Sequence, residues 1–200
     1  GKHKLVGVYL FIKKYKIHNM ENKVQLDNIR HTLAHLLAAA VMEIYPDTKP
    51  TIGPTVDNGF YYDFEFTTPV TAENLKDLEK RMRKILPSWK EMAGKEVTKE
   101  EANKIFANNP YKLELIEEIT NKGEKITLYT AGNFTDLCRG GHSDNPAKEI
   151  DPDSFKLSRI AGAYWRGNED NKMLTRIYGL AFSNKEELAQ YETMMAEAEK

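Results

Sequence analysis

Two hundred residues with 40% hydrophobic and 30% charged content can bury one sizeable core, and the chain reads as one soluble globular unit with subdomains. The formal net charge of −1 hides an asymmetry, because the first nineteen residues hold five lysines and no acid, leaving 24 basic against 30 acidic residues from Met20 onward. A nucleic-acid partner therefore cannot be read from bulk charge, and a single cysteine excludes an internal disulfide and fits a reducing compartment.

The opening GKHKLVGVYLFIKKYKIHN has an apolar run only from Leu5 to Ile12. That is too short to span a bilayer and lacks a small-residue cleavage site, so the expectation is a cytoplasmic protein without a membrane partner. Residues 1–20 read as an N-terminal extension, a strand, or an artefactual segment ahead of a start at Met20, and residues 21–200 as the functional domain. From Asp27 to Tyr45 the positions Ile29, Leu33, Leu36, Leu37, Ala40, Val41 and Ile44 recur at helical spacing, with Asp27 as cap and Pro46 as stop. His31 and His35 share one face of that helix.

GFYYDFEF, residues 59–66, alternates Phe60, Tyr62, Phe64 and Phe66 against polar neighbours and follows a turn-rich segment, which predicts a strand. Helical spacing returns over Thr71–Leu86, with Leu75, Leu78, Met82 and Ile85. Thr98 and Glu101 form a capping box for a helix to about Ala107, and Pro110 opens a short helix over 109–119. EKITLYTA, FKLSRIAGAYW and KMLTRIYGLAF are then strand-like runs. Ser183, with Glu186 three residues on, is expected to cap a last helix. This order predicts an α+β fold with a largely antiparallel sheet packed with helices.

Chemistry concentrates in RHTLAHLL, residues 30–37, and DLCRGGH, residues 136–142. HxxxH on a helix and CxxxH in a loop together make a tetrahedral zinc set of His31, His35, Cys138 and His142. The same residues permit a nucleophilic thiol deprotonated by His31 or His142. They also permit a water mechanism in which imidazoles and Asp136 position water and a lysine faces the developing oxyanion. The bland alternative is a pair of partly exposed helix histidines and an inert buried cysteine, and composition does not choose among these.

RHTLAHLL, TIGPTVDNGFYYDFE, LEKRM, TDLCRGGH, AGAYWRG and KMLTRIYG, in this order, resemble the editing domain of threonyl-tRNA synthetases, of the threonyl/alanyl second additional domain family. The resemblance covers about Asn28 to the C-terminus. It implies a cleft between the sheet and the HxxxH helix, and proofreading hydrolysis of the ester of seryl-tRNA(Thr), with the class II catalytic core as partner in a full-length synthetase. A synthetic pocket that accepts threonine can reject serine, one methyl smaller, by only about 1–3 kcal/mol, so a second, smaller pocket restores accuracy. Carried over by position, the catalytic residues are His31, Lys112, Asp136 and Cys138, and the substrate-binding residues are His35, Tyr62 and His142. His31 would meet the terminal ribose hydroxyl, Lys112 the ester carbonyl or attacking water, and Asp136 the seryl amino group or Lys112.

Each assignment has a plainer reading beside it. Lys112 lies in the charged run KLELIEE, where a lysine is usually solvated. Asp136 could make a turn, and Tyr62 could be core. Tyr164, Trp165 and Arg166 could stack on a nucleotide or pack internally. The family loop frequently has proline where Gly141 stands, which leaves the approach to His142 more flexible. Alanyl relatives hold zinc on the HxxxH and CxxxH set, whereas AGAYWRG and KMLTRIYG resemble the threonyl side. The expectation is therefore that no cofactor is required, with zinc possible on His31, His35, Cys138 and His142. An excised domain or a stand-alone deacylase is expected, because class II motifs do not follow. The alternative is a zinc-binding tRNA-interaction module or a zinc-dependent deacylase of the alanyl type.

Overall fold

Residues 29–41 are the spine of the molecule, and all but His31 are buried. In a computed structural model that describes residues 2–200, apart from the side chains of residues 2–5 and 8, they form part of one helix, α1 (Lys2–Ile44). Ile29, Leu33, Leu36, Leu37, Ala40 and Val41 all face the core, as their spacing requires. The expected helix start at Asp27 is corrected: the helix runs back to Lys2, and Asp27 is interior to it. Nothing between Val8 and Ile44 breaks the helix, since that stretch contains neither proline nor glycine. The strand reading of residues 1–20 does not hold, because residues 2–20 lie in α1. Tyr9, Phe11 and Tyr15 on this part of the helix are exposed.

After Pro46 the chain makes two short strands, β1 (Lys49–Pro50) and β2 (Thr55–Val56), and then β3 (Gly59–Glu65). Phe60, Tyr62 and Phe64 are buried, as the alternation predicts. A single 3-10 turn over Ala72–Asn74 leads into α2 (Leu75–Ile85), which buries Leu75, Leu78 and Met82. β4 (Ala93–Val97) precedes α3 (Lys99–Ile105), whose Thr98–Glu101 capping box forms as expected. α4 (Pro110–Asn121) is capped by Asn109, whose side chain accepts from the Tyr111 and Lys112 backbone N–H groups.

β5 (Ile126–Ala131) and β6 (Phe134–Leu137) form a hairpin, a four-residue helix α5 (Pro146–Glu149) follows, and β7 (Phe155–Tyr164) and β8 (Met173–Ala181) form a second hairpin. The last helix, α6 (Lys185–Ala198), is capped by Asn184 accepting from Glu187 N–H, one residue beyond the expected Ser183–Glu186 pair. Asparagine is as good a cap as serine, and Glu187 also reaches back to the Ser183 backbone.

The fold is α+β, and every strand pairing among the described residues is antiparallel. There are two sheets where one was expected. The larger runs in the order β1-β3-β8-β7 with β2 paired to β3, and the smaller is β4-β5-β6. α1 packs its apolar stripe on β3, with α2 beside it. The histidine face of α1 is thereby set between β3 of one sheet and the end of β6 in the other.

Candidate functional site

The two halves of the site come from elements 101 or more residues apart in sequence. α1 supplies His31 and His35 one helical turn apart. β6 supplies Asp136, and the loop leaving β6 supplies Cys138 and His142. That loop takes its shape from glycine: Gly140 and Gly141 have φ of +109° and +84°, and a Cβ on Gly140 would lie 2.7 Å from the Tyr129 hydroxyl. A proline at 141, with φ fixed near −65°, does not fit this backbone. The departure from the family pattern is thus built into the loop conformation. Thr32 ties the loop to α1 by accepting from the Ser143 N–H at 2.9 Å.

The deep half is organised around the Asp136 carboxylate, which is 2% exposed. It accepts from Lys112 Nζ at 2.6 Å, Tyr62 OH at 2.7 Å, His35 Nδ1 at 2.9 Å and the Leu137 N–H at 2.8 Å. Lys112, itself 3% exposed, also donates to the Thr51 carbonyl at 2.6 Å and to Tyr62 OH at 3.1 Å. All three ammonium hydrogens are engaged. The solvated reading of Lys112 is therefore corrected: it points inward from the first turn of α4, and KLELIEE presents its acids on the opposite side. Asp136 does not make a turn but lies inside β6. Tyr62 is both core and site, its ring stacked on Phe64 at 4.9 Å and its hydroxyl in the network. Gly53 lies against that ring, where a Cβ would come within 2.2 Å of it.

The outer half is a cluster of imidazoles about one sulfur. Cys138 Sγ lies 3.1 Å from His142 Nε2 and 3.4 Å from His31 Nε2, and it accepts from the Gly140 N–H at 3.4 Å. His31 Nδ1 donates to the Gly141 carbonyl at 3.1 Å, which turns Nε2 toward the sulfur. The three rings pack at centroid distances of 4.3–4.9 Å. His35 joins the two halves: Nδ1 is on Asp136, and Nε2 is buried without a hydrogen-bond partner.

These contacts set the charges. Burial opposes charge on His35, but the hydrogen bond and charge of Asp136, with the sulfur of Cys138, outweigh it and raise the imidazole to about 9. Burial would raise the Asp136 carboxyl, yet Lys112 and His35 hold it well below the usual carboxylate range. Cys138 is likewise opposed by burial and lowered to about 4 by hydrogen bonds from His142 and His31 and by the nearby charge of His35. Burial holds His142 below its ordinary value, and burial with Asp136 pushes the Tyr62 phenol well above its own. The chemistry on offer is a buried carboxylate–imidazolium–ammonium network beside a thiolate.

His31, His35, Cys138 and His142 present ligand atoms that all lie within 4.8 Å of one another. Bonds of 2.0–2.3 Å to a tetrahedral zinc place ligand atoms about 3.3–3.7 Å apart, close to the 3.1 and 3.4 Å observed between imidazole and sulfur. The Nδ1–H groups of His35 on a carboxylate and His31 on a carbonyl are the outer contacts that metal-bound imidazoles make. The four residues fit a zinc ion.

Space adjoins both halves. A cavity of about 320 Å³ is lined by Asp27, Asn28, His31, Pro54, Thr55 and Gly141. A larger one, about 700 Å³, reaches Lys112 and Asp136 from the α3–α4 and β5–β6 turns. Thus His31, His35, Tyr62, Lys112, Asp136, Cys138 and His142 all meet. Trp165 and Arg166 do not join them, and Tyr164 is 39% exposed at the end of β7. Thr51, Gly140 and Gly141 act through backbone groups and leave no side-chain signal in the sequence. Asn109 did leave one, an asparagine directly before a helix-opening proline.

The description "Threonyl and Alanyl tRNA synthetase second additional domain" matches residues 126–178. The chain is 49% identical over 171 residues to a threonine-tRNA ligase of Borrelia garinii subsp. bavariensis, a match that covers 86% of the chain and 29% of that relative. It is 47% identical over 175 residues to one of Dehalococcoides mccartyi, covering 88% of the chain and 29% of the relative. The chain spans less than a third of the length of these relatives. Residues 126–178 therefore match the threonyl and alanyl tRNA synthetase second additional domain, in a chain that over most of its length is similar to part of the threonine-tRNA ligases.

Proposed function

We propose that this chain hydrolyses the ester of seryl-tRNA(Thr) and spares threonyl-tRNA(Thr), acting on tRNA alongside the class II catalytic core of a full-length synthetase. The observation that carries this reading is the convergence of Lys112, Tyr62 and His35 on the buried Asp136 directly beside the His31–Cys138–His142 cluster. Such a network holds polar groups and fixed charges at an ester without reorganisation. In the reaction water attacks the carbonyl carbon, the bond to the ribose oxygen breaks, that oxygen takes one of the two water protons, the other passes to solvent, and serine leaves as its carboxylate.

His31 lines the smaller cavity, which supports giving it the ribose hydroxyl. Lys112 polarises the carbonyl or the water once substrate displaces one of its three acceptors, and Asp136 holds Lys112 or the seryl amine. Cys138 is not the nucleophile in this mechanism. The resemblance gives the attacking role to water, and Sγ, held by the Gly140 N–H and beside the Nε2 atoms of His31 and His142, is read as shaping the pocket.

His31, His35, Cys138 and His142 would hold zinc if it binds, and zinc supplies an acidified water or polarises a carbonyl. Four protein ligands make a closed site, whereas catalysis needs an open position, and His31 cannot serve the metal and the ribose together. The fit of that ligand set favours, as a second reading, a zinc-binding tRNA-interaction module or zinc-dependent deacylase. A deacylation assay with seryl-tRNA(Thr) and threonyl-tRNA(Thr) side by side tests the proposal. Serine release with threonyl ester intact is expected, and equal rates on both, or on neither, would overturn it.

A further inference from the structure

The segment AYWRG, residues 163–167, lies away from the imidazole cluster and closes on the outside of α4. Trp165 is buried against Tyr111 with ring centroids 5.1 Å apart and donates its Nε1–H to Glu114 at 2.9 Å. Arg166 donates from Nε to the same Glu114 at 2.8 Å and from a terminal nitrogen to Glu118 at 2.7 Å. Glu114 and Glu118, one turn apart, share a face of the helix. Lys112 is two residues before Glu114, so its side chain leaves the opposite face. The front of α4 therefore carries the ammonium bound to Asp136, and the back is gripped by Trp165 and Arg166.

The grip is held by an unfavourable backbone. Arg166 has φ +56° and ψ +22°, inside a turn where Gly167 follows at φ +66°. A residue with a Cβ adopts that conformation only when its surroundings impose it. The Arg166 pairs are about half exposed, with side-chain exposures of 37% for Arg166, 50% for Glu114 and 38% for Glu118, and pairs of that kind add little net stability. Stability alone does not account for a strained residue spent on two such contacts. What a guanidinium fork supplies is direction, since its donors are fixed in one plane. It is also already engaged, so a nucleotide contact by Arg166 would have to break both ion pairs.

We infer that Arg166, seated by Trp165, is a positioning residue that sets the rotation of α4 and so the placement of Lys112 Nζ between Asp136, Tyr62 and Thr51. The inference rests on the proposed role of Lys112 in ester hydrolysis. The test compares the parent chain with Arg166→Ala, Arg166→Lys and Arg166→Gly in two measurements. The first is labelling by an amine-reactive succinimidyl ester read by mass spectrometry, with exposed Lys104 as reference. The second is the kinetics of seryl-tRNA(Thr) deacylation.

Lys112 should be protected in the parent and label about fivefold faster or more in Arg166→Ala, as a loosened helix end opens more often. kcat should fall about tenfold or more with KM within about twofold, and Arg166→Lys should recover part of both. Arg166→Gly relieves the backbone strain and should melt no lower than Arg166→Ala while losing kcat as Arg166→Ala does. Lys112 protected equally in all four proteins would overturn the inference, as would a raised KM with unchanged kcat, which marks a substrate contact instead. If the parent does not deacylate, the functional proposal fails, and labelling alone decides the placement of Lys112.

Discussion

Replacing Asp136 with asparagine keeps the shape of the site and removes its only buried anion in the deep half. Four groups donate to that carboxylate, two of them cationic, Lys112 and His35. An amide can accept from some of them, but it leaves the ammonium buried without a counter-charge, a change that costs about 3–5 kcal/mol when one partner of a buried pair is lost. His35 gives a second measure. Its folded value of about 9 against an ordinary 6.5 corresponds to about 3 kcal/mol at ~1.4 kcal/mol per pKa unit. The depressed Asp136 value, set by Lys112 and then His35, contains the same contact again, so the two are not added.

The sign gives the pH dependence. A group raised on folding contributes fully below its unfolded value and loses that contribution as pH rises through its folded value. The stability gap between the parent and Asp136→Asn should therefore be widest between the unfolded carboxyl value of 3.8 and pH 6.5, and shrink by up to about 3 kcal/mol as pH approaches 9. A remainder from Lys112 should persist. Urea unfolding in chelator across this range measures it. A gap that stays constant with pH would refute the imidazolium–carboxylate contact, and a gap below about 1 kcal/mol throughout would refute the buried network.

The metal question has a direct test. Deacylation should survive chelator, and added zinc should inhibit it, because an ion on His31 removes that imidazole from the ribose; activity lost in chelator and restored by stoichiometric zinc would reverse the assignment. For Cys138, Cys138→Ser should retain partial activity, since the sulfur holds neighbouring donors and does not attack. Mass spectrometry of the parent quenched during turnover should find no seryl thioester, and trapping one would make the thiol the nucleophile.

The helix bearing His31 and His35 was legible because seven apolar residues at helical spacing fix which face is buried. Its true start was not, since Asp27 is a plausible cap and only tens of residues without a helix breaker argue for continuation. β4 and β6 escaped notice for physical reasons. AGKEV is an edge strand with four of five residues exposed, so no alternation marks it. FTDL turns an aspartate inward, against every pattern that buries apolar groups. Lys112 is the sharpest case: amphipathicity assigns it to solvent, and only a partner 24 residues later in the chain, Asp136, makes its burial possible. The resemblance located it where periodicity could not.

One imidazole decides how the cluster is used. His35 has its Nδ1 committed to Asp136 and its Nε2 enclosed, and His142 is stacked on His31 and tilted against Tyr129. Both are fixed, and neither borders the smaller cavity. His31 alone borders it while its Nε2 still faces the sulfur. Around the thiolate, three Nε2 atoms can meet a shared ion, or His142 Nε2 can stay on the sulfur while His31 turns to substrate. The protein atoms needed for a zinc site and for a water site are therefore the same, and the two uses differ in the occupation of a single nitrogen. A substitution at His31 should consequently affect both substrate turnover and zinc affinity. One at Tyr62 or Lys112, which lie a layer deeper around Asp136, should lower turnover and leave the zinc ligands in place.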